Sequence, residues 1–384
     1  MKMNDQKGGQ LRSVLCDKAN LLLLVWPAGF LIYFLARSDR EIAERIFARG
    51  IFKGYAWLMT HITGWIPFSL AELLVIAFPV FVLVIIVLGI VKTVRNKGKR
   101  LLYAAGTVRS LLVTAGIVFL WFMIGAGTNY YRYEFAHFSG LEQYMGEAST
   151  DELYELCMEL ARKTNDARAE AVAASGENTD EAAVFVSSYS NRERSYQAKL
   201  AMEKLARTIP ELDGYYPRAK SVFFSRFMSE FNITGVYFPW TVEANVNTDV
   251  PDYSIGAAAC HELSHLRGFM REDEANFIGY LACVNSDSPE LKYSGYMLAL
   301  VYAGNKLYAD SAELYFDVYR TYSEGVIADF RANSAYWDRF KDTVFERAGE
   351  KMNDTYLKIN AQKDGTKSYG RMVDLLIAEY RSGK

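Results

Sequence analysis

Cysteine and histidine are scarce in this chain, and neither sign of charge dominates. The 384 residues contain four cysteines, Cys16, Cys157, Cys260 and Cys283, at scattered spacings. That pattern excludes a disulfide framework and a cysteine-based zinc site. The formal net charge is −2 and no dense basic stripe runs through the C-terminal half, which argues against a nucleic-acid partner. Only four histidines are present, and two of them, His261 and His265, lie within one helical turn of each other; His61 and His137 stand apart as interfacial or surface residues. A chain of this length suits about two or three domains.

The near-neutral composition hides an asymmetry. Residues 1–128 are largely apolar, whereas 129–384 are rich in Tyr, Phe and charge. Three apolar stretches, at about 20–36, 66–91 and 111–127, predict membrane-spanning helices. The second is interrupted only by Glu72 and Pro79, and a proline is tolerated inside a span. The first reads as retained, because no small-residue cleavage site follows before Arg37. Residues 1–18 form a tail with four basic residues, and the segment 92–100 (KTVRNKGKR) is a short basic loop. Both suit the cytoplasm, which puts residues 129–384 outside. The interspersed charges of residues 37–65 have helical spacing and predict an amphipathic helix lying on the outer surface.

The soluble part reads as mostly helical with a small β component. Ser149, Thr150 and Asp151 cap a first helix, 174–192 reads as a loop, and a second helix covers about 193–208. Val222–Phe224 and 234–246 carry the β-branched and aromatic residues of short strands, and from Ser254 onward the chain is almost wholly helical. The segment Val236–Asn247 reads as one strand leading into the next helix, an edge able to hold an extended peptide. On it, Asn245 and Asn247 are candidate substrate contacts.

That next helix carries the chemistry. His261-Glu262-Leu263-Ser264-His265 spells His-Glu-x-x-His, and on a helix the two imidazoles share one face. Glu262 is then placed to reach a metal-activated water rather than the metal, as a general base. A zinc ion needs a third protein ligand, and no third histidine is near. If Gly268–Met270 turn the chain back, His265 lies level with Glu272 or Asp273, and His261 with Asn276. Glu272 and Asn276 are one turn apart on one face, so Glu272 is assigned as third ligand and Asn276 as the partner that orients an imidazole. Asp273 remains open, and Glu274 points away. Arg267 and Arg271 are expected to pair with the nearby carboxylates. Cys260 and Cys283 are expected at different heights, as free thiols. Tyr293, Tyr296, Tyr369 and Arg371 read as packing residues rather than oxyanion donors.

His-Glu-x-x-His followed by Glu272-x-x-Ala275-Asn276 resembles the gluzincin metallopeptidases. The stretches ITGVYFPWTVEANVN (233–247), CHELSHLRGFMREDEANFIGYLACVNSD (260–287), YSGYMLAL (293–300) and QKDGTKSYGRMVDLL (362–376) resemble the DUF3810 family of bacterial membrane proteins over nearly the whole chain. The resemblance implies a multi-pass protein of the bacterial cytoplasmic membrane with a zincin-like extracytoplasmic domain over 129–384, following a membrane region over 19–128. Two departures matter. Six residues separate His265 from Glu272, fewer than gluzincins place there, and Arg271 occupies the position of the third metzincin histidine. The function expected is a zinc-dependent metallopeptidase that needs Zn2+, the lipid bilayer and a peptide or protein substrate. The alternative is a catalytically inactive zinc-binding receptor or assembly factor. An intramembrane protease is disfavoured by the charges at 267–274.

Overall fold

A computed structural model describes residues 13–176, 182–359 and 370–383. The N-terminal third is three long apolar helices. Lys18–Leu24 is a 3-10 turn that runs into α1 (Val25–Ser38). After Asp39 come Arg40–Ile42, a π-helical stretch Ala43–Phe52 and Lys53–Thr63, continuous with one another and together called α2. Then follow α3 (Leu70–Arg95) and α4 (Arg100–Gly125). The segments Lys18–Ser38, Leu70–Arg95 and Lys97–Gly125 are each long and apolar enough to cross a membrane. They are mostly apolar on all sides and largely unburied by the rest of the chain. α4 lies between the other two: the Trp26 indole of α1 donates to the Leu112 carbonyl (2.9 Å), and Gly89 of α3 packs under Thr107. The third apolar helix starts at Arg100, about three turns earlier than the expected start near 111. Arg109 is accommodated by an ion pair with Asp17 (2.6 Å).

The remaining elements are α5 (Phe135–Ser139), α6 (Thr150–Ser175), α7 (Asn191–Leu205), β1 (Lys220–Ser221), α8 (Ser225–Glu230), β2 (Gly235–Phe238) and β3 (Glu243–Val246). After them come α9 (Asp252–His265), α10 (Glu272–Val284), α11 (Pro289–Asp310), α12 (Ala312–Tyr319), α13 (Glu324–Asp338), α14 (Val344–Ile359) and α15 (Gly370–Ser382). The core runs between α9, α10, α11, α6 and α7, where Leu160, Met202, Ile255, Leu263 and Phe277 are fully buried. Leucine-sized side chains buried this completely each contribute about 1.5–3 kcal/mol.

Two expectations are corrected here. The segment Val236–Asn247, expected as one strand, is a hairpin. Its strands β2 and β3 pair antiparallel (Val236 with Asn245, Phe238 with Glu243), and β1 pairs parallel with β3. Thus β3 is the central strand and β2 the edge. The turn between them is forced by Pro239 and by Val242 at φ +51°, a backbone state an apolar run does not announce. The strand predicted at Val222–Phe224 is only Lys220–Ser221, and Phe223 and Phe224 lie in a turn beyond it.

α2 packs one face on protein, while Ile46, Ile51, Trp57, Leu58 and Ile62 stay exposed. Phe47, Phe52 and Ala56 are buried, and Glu44 makes a two-pronged ion pair with the buried Arg132 (3.0 and 2.9 Å). One face of an amphipathic helix looks the same in sequence whether lipid or protein covers it; here protein covers the face that carries Phe47, Phe52 and Ala56.

Two of the three long apolar helices meet the polar part at one set of ends. The first N–H groups of α3, Leu70 and Ala71, donate to the Glu243 carboxylate of β3 (3.2 and 3.0 Å), which also pairs with Lys220. The C-terminal carbonyl of α4, at Gly125, accepts from the Tyr237 hydroxyl of β2 (2.8 Å). The sheet is thereby joined to two membrane-length helices, and the basic run 92–100 lies at their opposite ends.

Candidate metal centre

Small residues set the position of α9. Gly256, Ala257 and Ala259 are buried against neighbouring helices, and the Ala257 N–H donates to Ser294 Oγ on α11 (2.8 Å). α10 comes so close that a Cβ on Gly279 would lie 3.0 Å from the backbone nitrogen of His261. Gly268, at φ +82°, ends the helix in the left-handed region that favours glycine, and the chain reverses through the buried Phe269 and Met270. The helix pair is therefore built around the turn that carries the histidines.

Each imidazole is held by its far nitrogen. His261 Nδ1 pairs with Asn276 Oδ1 (2.8 Å), whose amide nitrogen donates to the Tyr302 hydroxyl (3.0 Å). His265 Nδ1 pairs with the Phe269 carbonyl (2.6 Å). Both Nε2 atoms are thereby turned toward each other, 3.2 Å apart. Glu272 closes the triangle, with Oε2 3.1 Å from His261 Nε2 and Oε1 3.9 Å from His265 Nε2. Its carboxylate leans toward His261, although the helix levels suggested His265 as the nearer neighbour. Ligands bonded to zinc at 2.0–2.1 Å in a tetrahedron stand about 3.3 Å apart. These three donors already lie near that spacing, and two imidazoles with one carboxylate are a donor set zinc takes, so the residues fit the ion.

The electrostatics are those of a crowded, largely buried site. Burial disfavours the charged form of His261, but the hydrogen bond to Glu272 and the charges of Glu262 and Glu272 outweigh it, lifting its pKa to about 9. Burial holds His265 down at about 4, against the pull of Glu272 and with the repulsion of His261. Burial also opposes ionisation of Glu272, yet its bond to His261 and the two imidazoles bring its pKa below the ordinary value. Glu262 is pushed up to about 8 by burial first and by the Glu272 charge second. It lies under β2, where a Cβ on Gly235 would overlap its carboxylate, and it accepts from the Tyr237 N–H. Its Oε1 is 3.9 Å from His261 Nε2, and its Oε2 is buried without a hydrogen-bond partner among the described residues. A buried carboxylate oxygen without a donor is costly and calls for an explanation.

The three consecutive carboxylates that open α10 part company. Asp273 turns to Arg371 (3.2 Å), and Glu274 accepts from the Phe135 N–H (2.9 Å) and from Arg271 (2.8 Å). Arg271 also donates to the Tyr130 and Arg132 carbonyls, so it pairs with a carboxylate as expected and is fully committed. Arg267 differs from expectation: it lies over the Tyr216 ring (4.6 Å) and donates to the Tyr215 carbonyl (3.0 Å), with no carboxylate partner among the described residues. Asn247 is fully buried, its amide nitrogen bound to Ser229 Oγ and the Ile233 carbonyl. Asn245 is buried in the central strand and donates to the Val236 and Glu243 carbonyls. The strand against Glu262 is β2, through Gly235 and the Tyr237 N–H, and the two asparagines brace the hairpin.

Tyr293 is buried with its hydroxyl on Asp329 (2.5 Å), and Tyr369 lies outside the described residues. His61 stacks near Tyr215 and His137 pairs with Glu142, both away from the cluster. Cys260 and Cys283 are free buried thiols, as expected, but neighbours rather than at different heights, and the Cys260 thiol donates to the Ala198 carbonyl (3.8 Å). Two neighbours of the site had no signal in the sequence. Tyr302 is one of several tyrosines on α11, and Tyr237, whose ring lies 5.6 Å from that of His265, belongs to an ordinary aromatic strand.

The family described as "Protein of unknown function (DUF3810)" matches residues 47–377. That range takes in α9 and α10 whole, together with α3 and α4. No curated protein and no solved structure matches the chain.

Proposed function

The chain belongs to the DUF3810 family, and from there we propose that it is a membrane-anchored zinc-dependent metallopeptidase acting on a protein or peptide substrate. One observation carries the reading. His261 Nε2, His265 Nε2 and the Glu272 carboxylate converge beside a buried Glu262 that keeps one oxygen free. In this reading residues 129–384 form a zincin-like domain on the extracytoplasmic side, opposite the basic run 92–100.

His261, His265 and Glu272 would hold the zinc, and Asn276 and the Phe269 carbonyl fix the two rings so that Nε2 carries the lone pair. A bound zinc supplies Lewis acidity to water and to the scissile carbonyl. Glu262, whose Oε1 is the oxygen nearer the donor cluster, would take the proton of the attacking water on its carboxylate and pass it to the nitrogen of the leaving amine. The positive charge of the ion favours the ionised form that such a base requires. The outer edge of β2, beside Glu262, is the strand edge that would align an extended substrate through main-chain hydrogen bonds.

The test uses the full chain in nanodiscs, with zinc content and peptide hydrolysis measured for wild type, Glu262→Gln and Glu272→Gln. The reading expects stoichiometric zinc and hydrolysis in wild type. Glu262→Gln should retain zinc without hydrolysis, and Glu272→Gln should lose zinc affinity. Zinc bound by a wild type that cleaves nothing would remove the peptidase and leave the receptor. Full zinc affinity in Glu272→Gln would remove the ligand assignment.

A further inference from the structure

The proposed peptidase leaves Glu72 unexplained, a carboxylate in the first turn of the most apolar helix in the chain. Its two oxygens accept the backbone N–H groups of Phe223 and Phe224, both at 2.9 Å. The side chains of that turn face outward. Phe223 is 87% exposed, and Phe224 and Phe227 are about half exposed. The apolar surface continues onto α14, where the Phe345 ring lies 6.4 Å from that of Phe227 and Val344 is 71% exposed. On the near side of the Ser69 cap, Trp65 is 86% exposed and Phe68 about half exposed. Contiguous apolar surface of this kind marks an interface.

We propose that this aromatic edge is a second membrane contact, with Phe223, Phe224, Phe227 and Phe345 seated in the interfacial layer of the same leaflet that the N-terminal end of α3 reaches. Continuity selects lipid as the occupant. Glu72 fixes the Phe223–Phe224 turn at the depth of the first turn of a helix long enough to span the bilayer. Any lipid that surrounds α3 at that level therefore also meets the phenylalanines. Aromatic side chains favour this layer. The bond pattern suits it as well, because a backbone N–H entering an apolar layer must bring its acceptor along. Glu72 satisfies two such groups at once, which explains a carboxylate at the head of a membrane helix.

The experiment is spin-label depth measurement on the full chain in nanodiscs. Cys16, the exposed cysteine of the four, is replaced by serine, and the other three are buried. Single cysteines are introduced by Phe223→Cys, by Val344→Cys at the far end of the patch, and by Tyr308→Cys as an exposed site on α11. The expected result is that labels at 223 and 344 collide with dissolved oxygen and lose collision with an aqueous nickel complex, whereas the label at 308 meets the nickel complex freely. Two results overturn the proposal. Nickel access at 223 and 344 equal to that at 308 means the edge stands in water. Exclusion of both oxygen and nickel means that protein, a second copy or a partner, covers it. The 344 label carries the test should Phe223→Cys fail to fold.

Discussion

Asp329 and Glu262 are both buried carboxylates in the polar part of the molecule, yet they are held in opposite ways. Asp329 is fully enclosed, and each of its oxygens is satisfied: Oδ2 accepts from Arg168 (2.8 Å) and the Tyr293 hydroxyl (2.5 Å), and Oδ1 from the Phe185 N–H (2.6 Å). It ties α6, α11, α13 and the segment before α7 together. Glu262 has one backbone donor, an oxygen with no partner among the described residues, and a second carboxylate as its electrostatic neighbour. A satisfied network adds rigidity; an unsatisfied one of the same depth costs stability that the fold must recover elsewhere. Asp273 and Glu274 also leave one oxygen without a donor among the described residues, but each has an arginine partner, and Glu262 has none.

The comparison can be broken most sharply at Glu262 itself. Removing the negative charge with Glu262→Gln is expected to cut peptide hydrolysis by roughly 10²–10⁴-fold, the range a general base supplies. Thermal stability should hold or rise, because a neutral amide is cheaper to bury than a carboxylate without its donors. Turnover assays beside thermal melts of the same nanodisc preparation check both halves. Loss of stability without loss of turnover would make Glu262 a second Asp329.

The converse substitution, Asp329→Ala, strands the buried Arg168 and is expected to cost about 3–5 kcal/mol. Zinc affinity of whatever remains folded should be unchanged. Denaturant titration followed by zinc titration tests the pair of statements, and a stability within error of wild type would show that the network around Asp329 is dispensable.

A smaller effect is expected one step out from the histidines. Asn276→Ala removes the acceptor on His261 Nδ1 and the link to Tyr302, and should weaken zinc binding about 10–100-fold. Competition against a chelator reads this directly. Unchanged affinity would mean that the ring is oriented by packing alone.

How much of this was legible in the sequence follows from what helices project and what they hide. The facing of His261, His265, Glu272 and Asn276 across α9 and α10 could be read, because helical periodicity fixes which side chains share a face and Gly268 marks the reversal. The mostly helical class and the three apolar spans were readable for the same reason. The hairpin was legible only in part: Pro239 breaks the run, but Val242 carries no mark of its positive φ. The burial of α2 under Arg132 was not legible, because one apolar face does not say what covers it. The contact between Cys260 and Cys283 was missed because levels on paired helices cannot be set within a turn from a linker alone. Glu72 looked like an interruption of an apolar span until the Phe223 turn was placed against it.

Glu379, on α15, lies between the two carboxylates that opened the comparison, and it gives the mildest test of it. Burial pushes its pKa up to about 7, against the Tyr280 hydrogen bond and the Lys163 charge, with Glu159 adding to the rise. The folded value thus stands above the ordinary 4.5, so the folded state holds this proton more tightly than the unfolded chain does. Below about 4.5 both states are protonated and the contribution to stability is intact. As pH rises toward 7 the unfolded chain ionises while the folded one does not, and stability falls until the folded group also ionises. Glu379→Gln keeps an amide oxygen for Tyr280 and cannot ionise. Its melting temperature should therefore gain on wild type between about pH 4.5 and 7 and run parallel to it above that. Melts of the two proteins across this range decide the matter, and parallel curves throughout would place Glu379 with Asp329, as a carboxylate whose charge the fold accommodates.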